Sequence, residues 1–335
     1  NWPDIVLEGN ICMSAPHVLA EVKDGIGWLT LNRPESLNAL SMEMRDLLVE
    51  HSASFEKDPK VRCVVIRGAG THFMAGGDIR GFHKSLTTER EAHLAGFEMR
   101  VVKAHQAIYQ IRRMNKPVLA SVQGAAAGFG LSLILNCDLA IASDDSFFTL
   151  AYRHIGLSAD GGATYFLPRV VGERKALEIA LLGERFSAQE AKANNILNWV
   201  VPKDQLVAET EKMARKLADG PTYALGVAKK LIRNSFDNSW DEHSHREAEG
   251  LAACAATDLP LVALQRPEWQ PEPGDRWTRL PDIAEGGVTW EKCPNCGRTC
   301  QRRWRRASTG WACAASSFGQ TCGDMPDARV DVPAE

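Results

Sequence analysis

Lys116-Pro117-Val118-Leu119-Ala120, followed closely by Gly124-Ala125-Ala126-Ala127-Gly128-Phe129-Gly130, decides the fold of this chain. The first segment is a short apolar run after a proline, which predicts a buried strand over Pro117 to Val122. The second is a small-residue loop that opens a helix over Gly128 to Asn136. Asp138-Leu139-Ala140-Ile141-Ala142 reads as the next strand. Upstream, Arg62-Cys63-Val64-Val65-Ile66-Arg67 is another β-branched run, ending at Gly68, and Ile26 to Leu31 a further strand closed by Asn32-Arg33-Pro34. Between these two, Ser41 caps a helix that Asp58-Pro59 stops near Lys57. Strands separated by helical segments argue for an α/β fold with crossover connections.

A second small-residue loop, Met74-Ala75-Gly76-Gly77-Asp78-Ile79, lies about fifty residues before the first. Two such loops, each feeding a helix, can aim two main-chain N–H groups at one point. Amides without an intrahelical partner stabilise an oxygen that becomes negative during a reaction. After Gly76-Gly77 the pattern predicts a polar stretch, then one long helix from about Glu89 to Arg113. Beyond Gly172 it turns helical, with a capping box at Ser187-Ala188-Gln189-Glu190 and segments over 204–219, 221–235 and 239–255.

Bulk properties narrow the function. In 335 residues, 44% hydrophobic and 24% charged content is ordinary for a globular enzyme, and a net charge of −3 suggests neither nucleic acid nor an anionic membrane as partner. No apolar run reaches the roughly 18 residues of a membrane helix. The first twelve residues lack a basic segment, so the cytoplasm is the expected location and 1–12 reads as a leader-like extension. Five of nine cysteines fall in the last 43 residues, and six of nine tryptophans at or after Trp240. Residues 258–335 therefore read as a Cys/Trp/Arg/Pro-rich extension, disordered or foreign to the rest. Within it Cys293 and Cys296 form a C-x₂-C pair of the zinc-binding kind, but no second pair completes four ligands, so no metal is expected.

From about Ala20 to Thr257 the chain resembles the crotonase (enoyl-CoA hydratase/isomerase) superfamily. The stretches that carry the resemblance are Asn32-Arg33-Pro34 with Leu37-Asn38-Ala39-Leu40, Ala75 to Ile79, Lys116 to Ala120, Gly124 to Gly130, Cys137 to Ala140, and Leu167-Pro168-Arg169 with Gly172. The resemblance implies a spiral of ββα units over 13–200, a helical oligomerisation region over 201–257, trimers or hexamers, and an acyl-CoA thioester as substrate. Coenzyme A would come as part of that substrate, with no separate cofactor. It further implies that the N–H groups of Gly77 and Phe129 form the oxyanion hole. Asn38, Ala39 and Leu40, with Ala75, Asp78 and Ile79, would cradle the CoA adenine, and Arg80 would meet its phosphates. Read from its position alone, Asp78 is a helix cap. Relatives carry one more helix after a segment like Ala252 to Thr257, which is not matched here.

Hydratases of this family split water between two glutamates. The matching positions are Ser132 and Tyr152, which places hydratase chemistry in doubt and makes both residues expected linings of the acyl pocket. One acid survives, Asp160 in Ile155-Gly156-Leu157-Ser158-Ala159-Asp160-Gly161-Gly162. It resembles the isomerase branch, in which an aspartate here shuttles a proton. A second candidate follows from the similar 4-chlorobenzoyl-CoA dehalogenases, where the aspartate matching Asp160 is a nucleophile and the histidine matching His105 a base. On its helical run His105 reads first as a packed core residue. A third candidate is an acyl-CoA-binding protein without catalysis.

Overall fold

The structure, a computed structural model, describes residues 15–258, 289–292 and 299–302. The chain divides into two units, Asn1–Leu259 and Pro260–Glu335. In the first, β1 (Val18–Lys23) and β2 (Ile26–Leu31) form an antiparallel hairpin followed by α1 (Met42–Lys57). β3 (Cys63–Gly68) leads through α2 (Ile79–Thr88), α3 (Arg90–Ala95) and α4 (Phe97–Arg113) to β4 (Val118–Val122). Next come β5 (Ala125–Ala127), α5 (Phe129–Asn136), β6 (Leu139–Ser143) and β7 (Phe147–Thr149). The remainder is α6 (Ala163–Val171), α7 (Glu173–Leu182), β8 (Phe186–Ser187), α8 (Ala188–Ala193), β9 (Trp199–Val201), α9 (Leu206–Ala218), α10 (Thr222–Asn234) and α11 (Trp240–Ala255).

The main sheet has the order β1-β2-β3-β4-β6-β9 and is parallel from β2 onward, while β5, β7 and β8 make a smaller second sheet. Both faces of the main sheet are covered, as parallel strands require. Alternation along each strand assigns the faces. Trp28, Val65, Leu119 and Leu139 stand in register and pack with Leu206, Ala214 and Ala218 of α9. Leu29, Ile66, Ala120 and Ala140, one residue along, face Met44 and Leu48 of α1 and Ala107 and Ile111 of α4. Asp138, at the head of β6, accepts from the Val118 N–H at 2.7 Å and pairs with Lys229 at 2.7 Å and Arg233 at 2.6 Å. That half-buried cluster ties α10 to the sheet.

The helix expected over Glu89 to Arg113 is two helices, α3 and α4, and the polar stretch before it is itself helical, as α2. Asp78 caps α2 by accepting from the Gly81 N–H at 2.9 Å, and breaks fall at Glu89 and Gly96. α2 carries Ile79, Phe82 and Leu86 at helical spacing, although it has no buried residue. The helical reading beyond Gly172 also missed β9, three half-buried residues on the sheet edge. In the second unit, Thr289–Lys292 (β10) and Thr299–Arg302 (β11) form an antiparallel hairpin. The leader-like reading of 1–12 and the pair Cys293 and Cys296 lie outside the described residues.

Candidate functional site

Three loops converge at the carboxyl side of the sheet. The loop after β3 and the segment around β5 zip together: the Met74 N–H donates to the Ala125 carbonyl at 3.1 Å and the Ala127 N–H to the Met74 carbonyl at 2.8 Å. The Asn38 to Leu40 segment joins them, since the Leu40 N–H donates to Gly76 O at 2.8 Å and the Ala75 N–H to Leu37 O at 3.0 Å. The two segments expected to cradle CoA are therefore side by side, with Leu40 and Gly77 bridged in parallel.

Gly76 (φ 94°) and Gly128 (φ 52°) turn the chain in conformations that favour glycine. A Cβ on Gly76 would stand 3.4 Å from the Ala127 carbonyl, so the two turns touch. Immediately after each turn lies one of the proposed donors. Among the described residues, neither the Gly77 N–H nor the Phe129 N–H has a main-chain or side-chain acceptor. Phe129 opens α5, so its amide also carries the positive end of that helix. Its ring is fully buried, and Phe129 serves at once as donor and as core residue.

The third loop carries Asp160, which is half-buried. The Tyr152 hydroxyl donates to Asp160 Oδ1. Burial, and then the adjacent Asp160 charge, push the Tyr152 hydroxyl well above its ordinary range, so it stays protonated as a donor. The main chain of this loop is held by side chains from two helices of the core. The Ser132 hydroxyl donates to Asp160 O at 2.8 Å and the Asn136 amide to Gly161 O at 3.1 Å. The Gly161 N–H donates to His105 Nε2 at 3.1 Å, which makes Nε2 the unprotonated ring nitrogen. A Cβ on Gly161 (φ 61°) would stand 2.7 Å from Ser132 Cβ and 3.2 Å from the Phe129 ring, so the acid loop rests on the side chain of the residue whose amide is the expected oxyanion donor.

Several sequence expectations need correction. His105 is exposed on α4 rather than packed in the core, and lies one peptide from Asp160. Ser132 is fully buried and does not line a pocket; it clamps the Asp160 loop to α5. Tyr152 faces the acid and is not among the residues lining the cavity beside it. The Asn38 side chain is also fully buried, accepting from Arg33 N and donating to Ala69 O and His72 O. It braces the segment from within rather than facing outward, and Ala39 is buried beside it while Leu40 is half-buried. Asp78 is the cap that its position suggested, and it also pairs with Arg33 at 3.3 Å. Ile79 and Arg80 are exposed on the first turn of α2.

Beside Asp160 a cavity of about 680 Å³ runs along α4, lined by His105 and Gly161 at one end and by Arg112 and Phe166 among others. Arg112 was missed in the sequence, where it reads as one more surface cation at a helix end. Among the described residues no cluster of three or more His, Cys, Asp or Glu side chains forms a metal-binding set, and no helix is long and apolar enough to cross a membrane.

Comparison with known proteins gives a consistent result. The family model described as enoyl-CoA hydratase/isomerase matches residues 21–259. The chain is 36% identical over 226 residues to 1,2-epoxyphenylacetyl-CoA isomerase of Escherichia coli (strain K12), covering 67% of this chain and 84% of that one. It is 30% identical over 237 residues to 4-chlorobenzoyl coenzyme A dehalogenase-2 of Arthrobacter sp., covering 71% and 85%. Among solved structures, an enoyl-CoA hydratase/isomerase from Mycobacterium abscessus is similar with a TM-score of 0.71 and 28% identity, over 76% of this chain and 98% of that one.

Proposed function

The chain belongs to the enoyl-CoA hydratase/isomerase family, an acyl-CoA enzyme of crotonase fold, and from that premise we propose that it shifts a double bond in an unsaturated or ring-containing acyl-CoA. The thioester oxygen sits between the N–H groups of Gly77 and Phe129. There the enolate formed on loss of a neighbouring proton is stabilised, each donor contributing about 3–4 kcal/mol. Asp160 takes that proton from one carbon and returns it at another. One base suffices for both transfers because the enolate spreads its charge over both carbons.

The observation that carries this reading is the solitary acid. Of the positions where the family's hydratases hold glutamates, Ser132 is sealed in the core and Tyr152 is spent as a donor to Asp160. A water held between two carboxylates has no counterpart, whereas a proton shuttle needs one carboxylate beside the enolate. The Tyr152 bond fixes the direction in which Asp160 points.

Hydrolysis of the dehalogenase kind is the second reading, favoured by the position of His105 one peptide from Asp160. It ranks lower because the Nε2 lone pair, the one that faces the loop, is already taken up by the Gly161 N–H. The exposed apolar residues of α10 and α11, Ile232 and Trp240 among them, support assembly with further copies of the chain.

The test is turnover of a panel of enoyl-CoAs in deuterated water by wild type and Asp160→Asn. Isomerase chemistry gives deuterium at the α or γ carbon in wild type and a loss of about 10²–10⁴ in rate in the variant. Chloride release from a halobenzoyl-CoA would promote the dehalogenase reading instead. Tight acyl-CoA binding without turnover on any of these substrates would leave a binding protein.

A further inference from the structure

The cavity along α4 draws apolar lining from Val49, Val102, Ile108 and Phe166 and neutral polar lining from Gln106 and Gln110, and it also holds one guanidinium, that of Arg112. The Arg112 guanidinium carbon lies 3.7 Å from the centre of the Phe166 ring. Among the described residues Arg112 has no carboxylate within ion-pair distance and its side chain donates no hydrogen bond. The carboxylate whose charge acts on Arg112, that of Asp138, is already paired with both Lys229 and Arg233. Arg169, stacked on Tyr165 at 3.5 Å, adds a further positive charge to the same neighbourhood. Burial, and then Arg233, draw the Arg112 guanidinium down to about 10.

A half-buried cation without a counter-ion is costly. Stacking on an aromatic face recovers part of that cost and leaves the five N–H donors at the ring's edge unused. Those donors form a planar fork that matches a carboxylate bidentately, which no neutral wall residue does. We propose that this cavity receives the acyl group of the substrate and that Arg112 recognises a carboxylate at its far end, making the preferred substrate an acyl-CoA with an anionic tail. The proposal rests on reading the cavity as the acyl site of the Asp160 centre. The spacing suits it: Arg112 lies two helical turns from His105, about 10 Å along the axis, and Ile108, the Tyr109 ring and Phe166 are there to cover methylenes or a ring.

The experiment is calorimetric binding of two saturated thioesters that cannot isomerise, octanoyl-CoA and its ω-carboxylate counterpart octanedioyl-CoA, to wild type, Arg112→Gln and Arg112→Lys. Wild type is expected to bind the dicarboxylic thioester at least about ten-fold more tightly. The preference should fall to about one in Arg112→Gln and survive in part in Arg112→Lys. A wild-type ratio of one or less, a ratio unchanged in Arg112→Gln, or no binding of either thioester overturns the proposal. Should Arg112→Gln fail to fold, salt decides on wild type alone: the ratio contracts with ionic strength if an ion pair causes it and holds if it does not. Because neither ligand can turn over, a missing deuterium exchange would sink the isomerase reading and leave this measurement standing.

Discussion

The oxyanion loops and the acid loop solve opposite problems. Around Gly77 and Phe129 the main chain is positioned by main chain, through the Met74 to Ala127 zipper, and two amides are left without acceptors. Around Asp160 the main chain is positioned by side chains. Ser132, Asn136 and His105 occupy the polar atoms of the Asp160–Gly161 peptides, and only the carboxylate is presented. Donors that must stay open are best held by neighbours that never touch them. A carboxylate on a loop outside any helix or strand is best held by tying down everything else.

The contrast can be broken most severely at Gly128. Its conformation, φ 52° and ψ −117°, is nearly closed to other residues, while a Cβ there would meet nothing nearer than 3.5 Å. Gly128→Ala thus adds backbone strain without a clash, about 1–3 kcal/mol. If the donor next to it swings away, kcat should drop by about 10²–10³. Steady-state kinetics beside a thermal melt check this: intact activity would mean that the glycine geometry does not set the donor.

Tyr152→Phe separates the two regions more gently. It removes the hydroxyl on Asp160 and leaves the oxyanion loops untouched, so kcat should fall about ten-fold with KM nearly constant, an effect of the size of one charge-assisted hydrogen bond. A change confined to KM would place Tyr152 in substrate binding. Ser132→Ala should do least to rate. It removes one of two donors from the Asp160 carbonyl, which keeps the Ala163 N–H at 3.2 Å, at a cost of about 1 kcal/mol, read as a lowered denaturant midpoint with kcat within a few-fold of wild type. A loss of activity as large as that of Asp160→Asn would mean that the hydroxyl takes part in the chemistry.

Much of this could be read from residues alone, for physical reasons. The strand of Pro117 to Val122 and the loop to Gly130 declare themselves because a parallel strand is buried on both faces and the turn demands small residues. Caps at Ser41 and Ser187 were visible because their side chains act within three residues. The partners of Asp160 were not: Ser132, Tyr152 and His105 come from three separate elements, and only folding brings them to one peptide. Position made Ser132 look like a pocket lining, whereas burial makes it a clamp. Arg112 was silent for the same reason, since what distinguishes it is that no carboxylate among the described residues pairs with it.

Phe129 gives the two regions a common dimension. On the proposed mechanism its amide faces the place where charge develops, while its ring is the floor beneath Gly161. The gap between the enolate's oxygen and the proton carrier is thereby gauged by the covalent framework of one amino acid. Thermal motion that lifts the floor must move the amide too, so the separation is conserved while both drift. A smaller residue in its place would uncouple them, and the site would lose its ruler before it lost its fold.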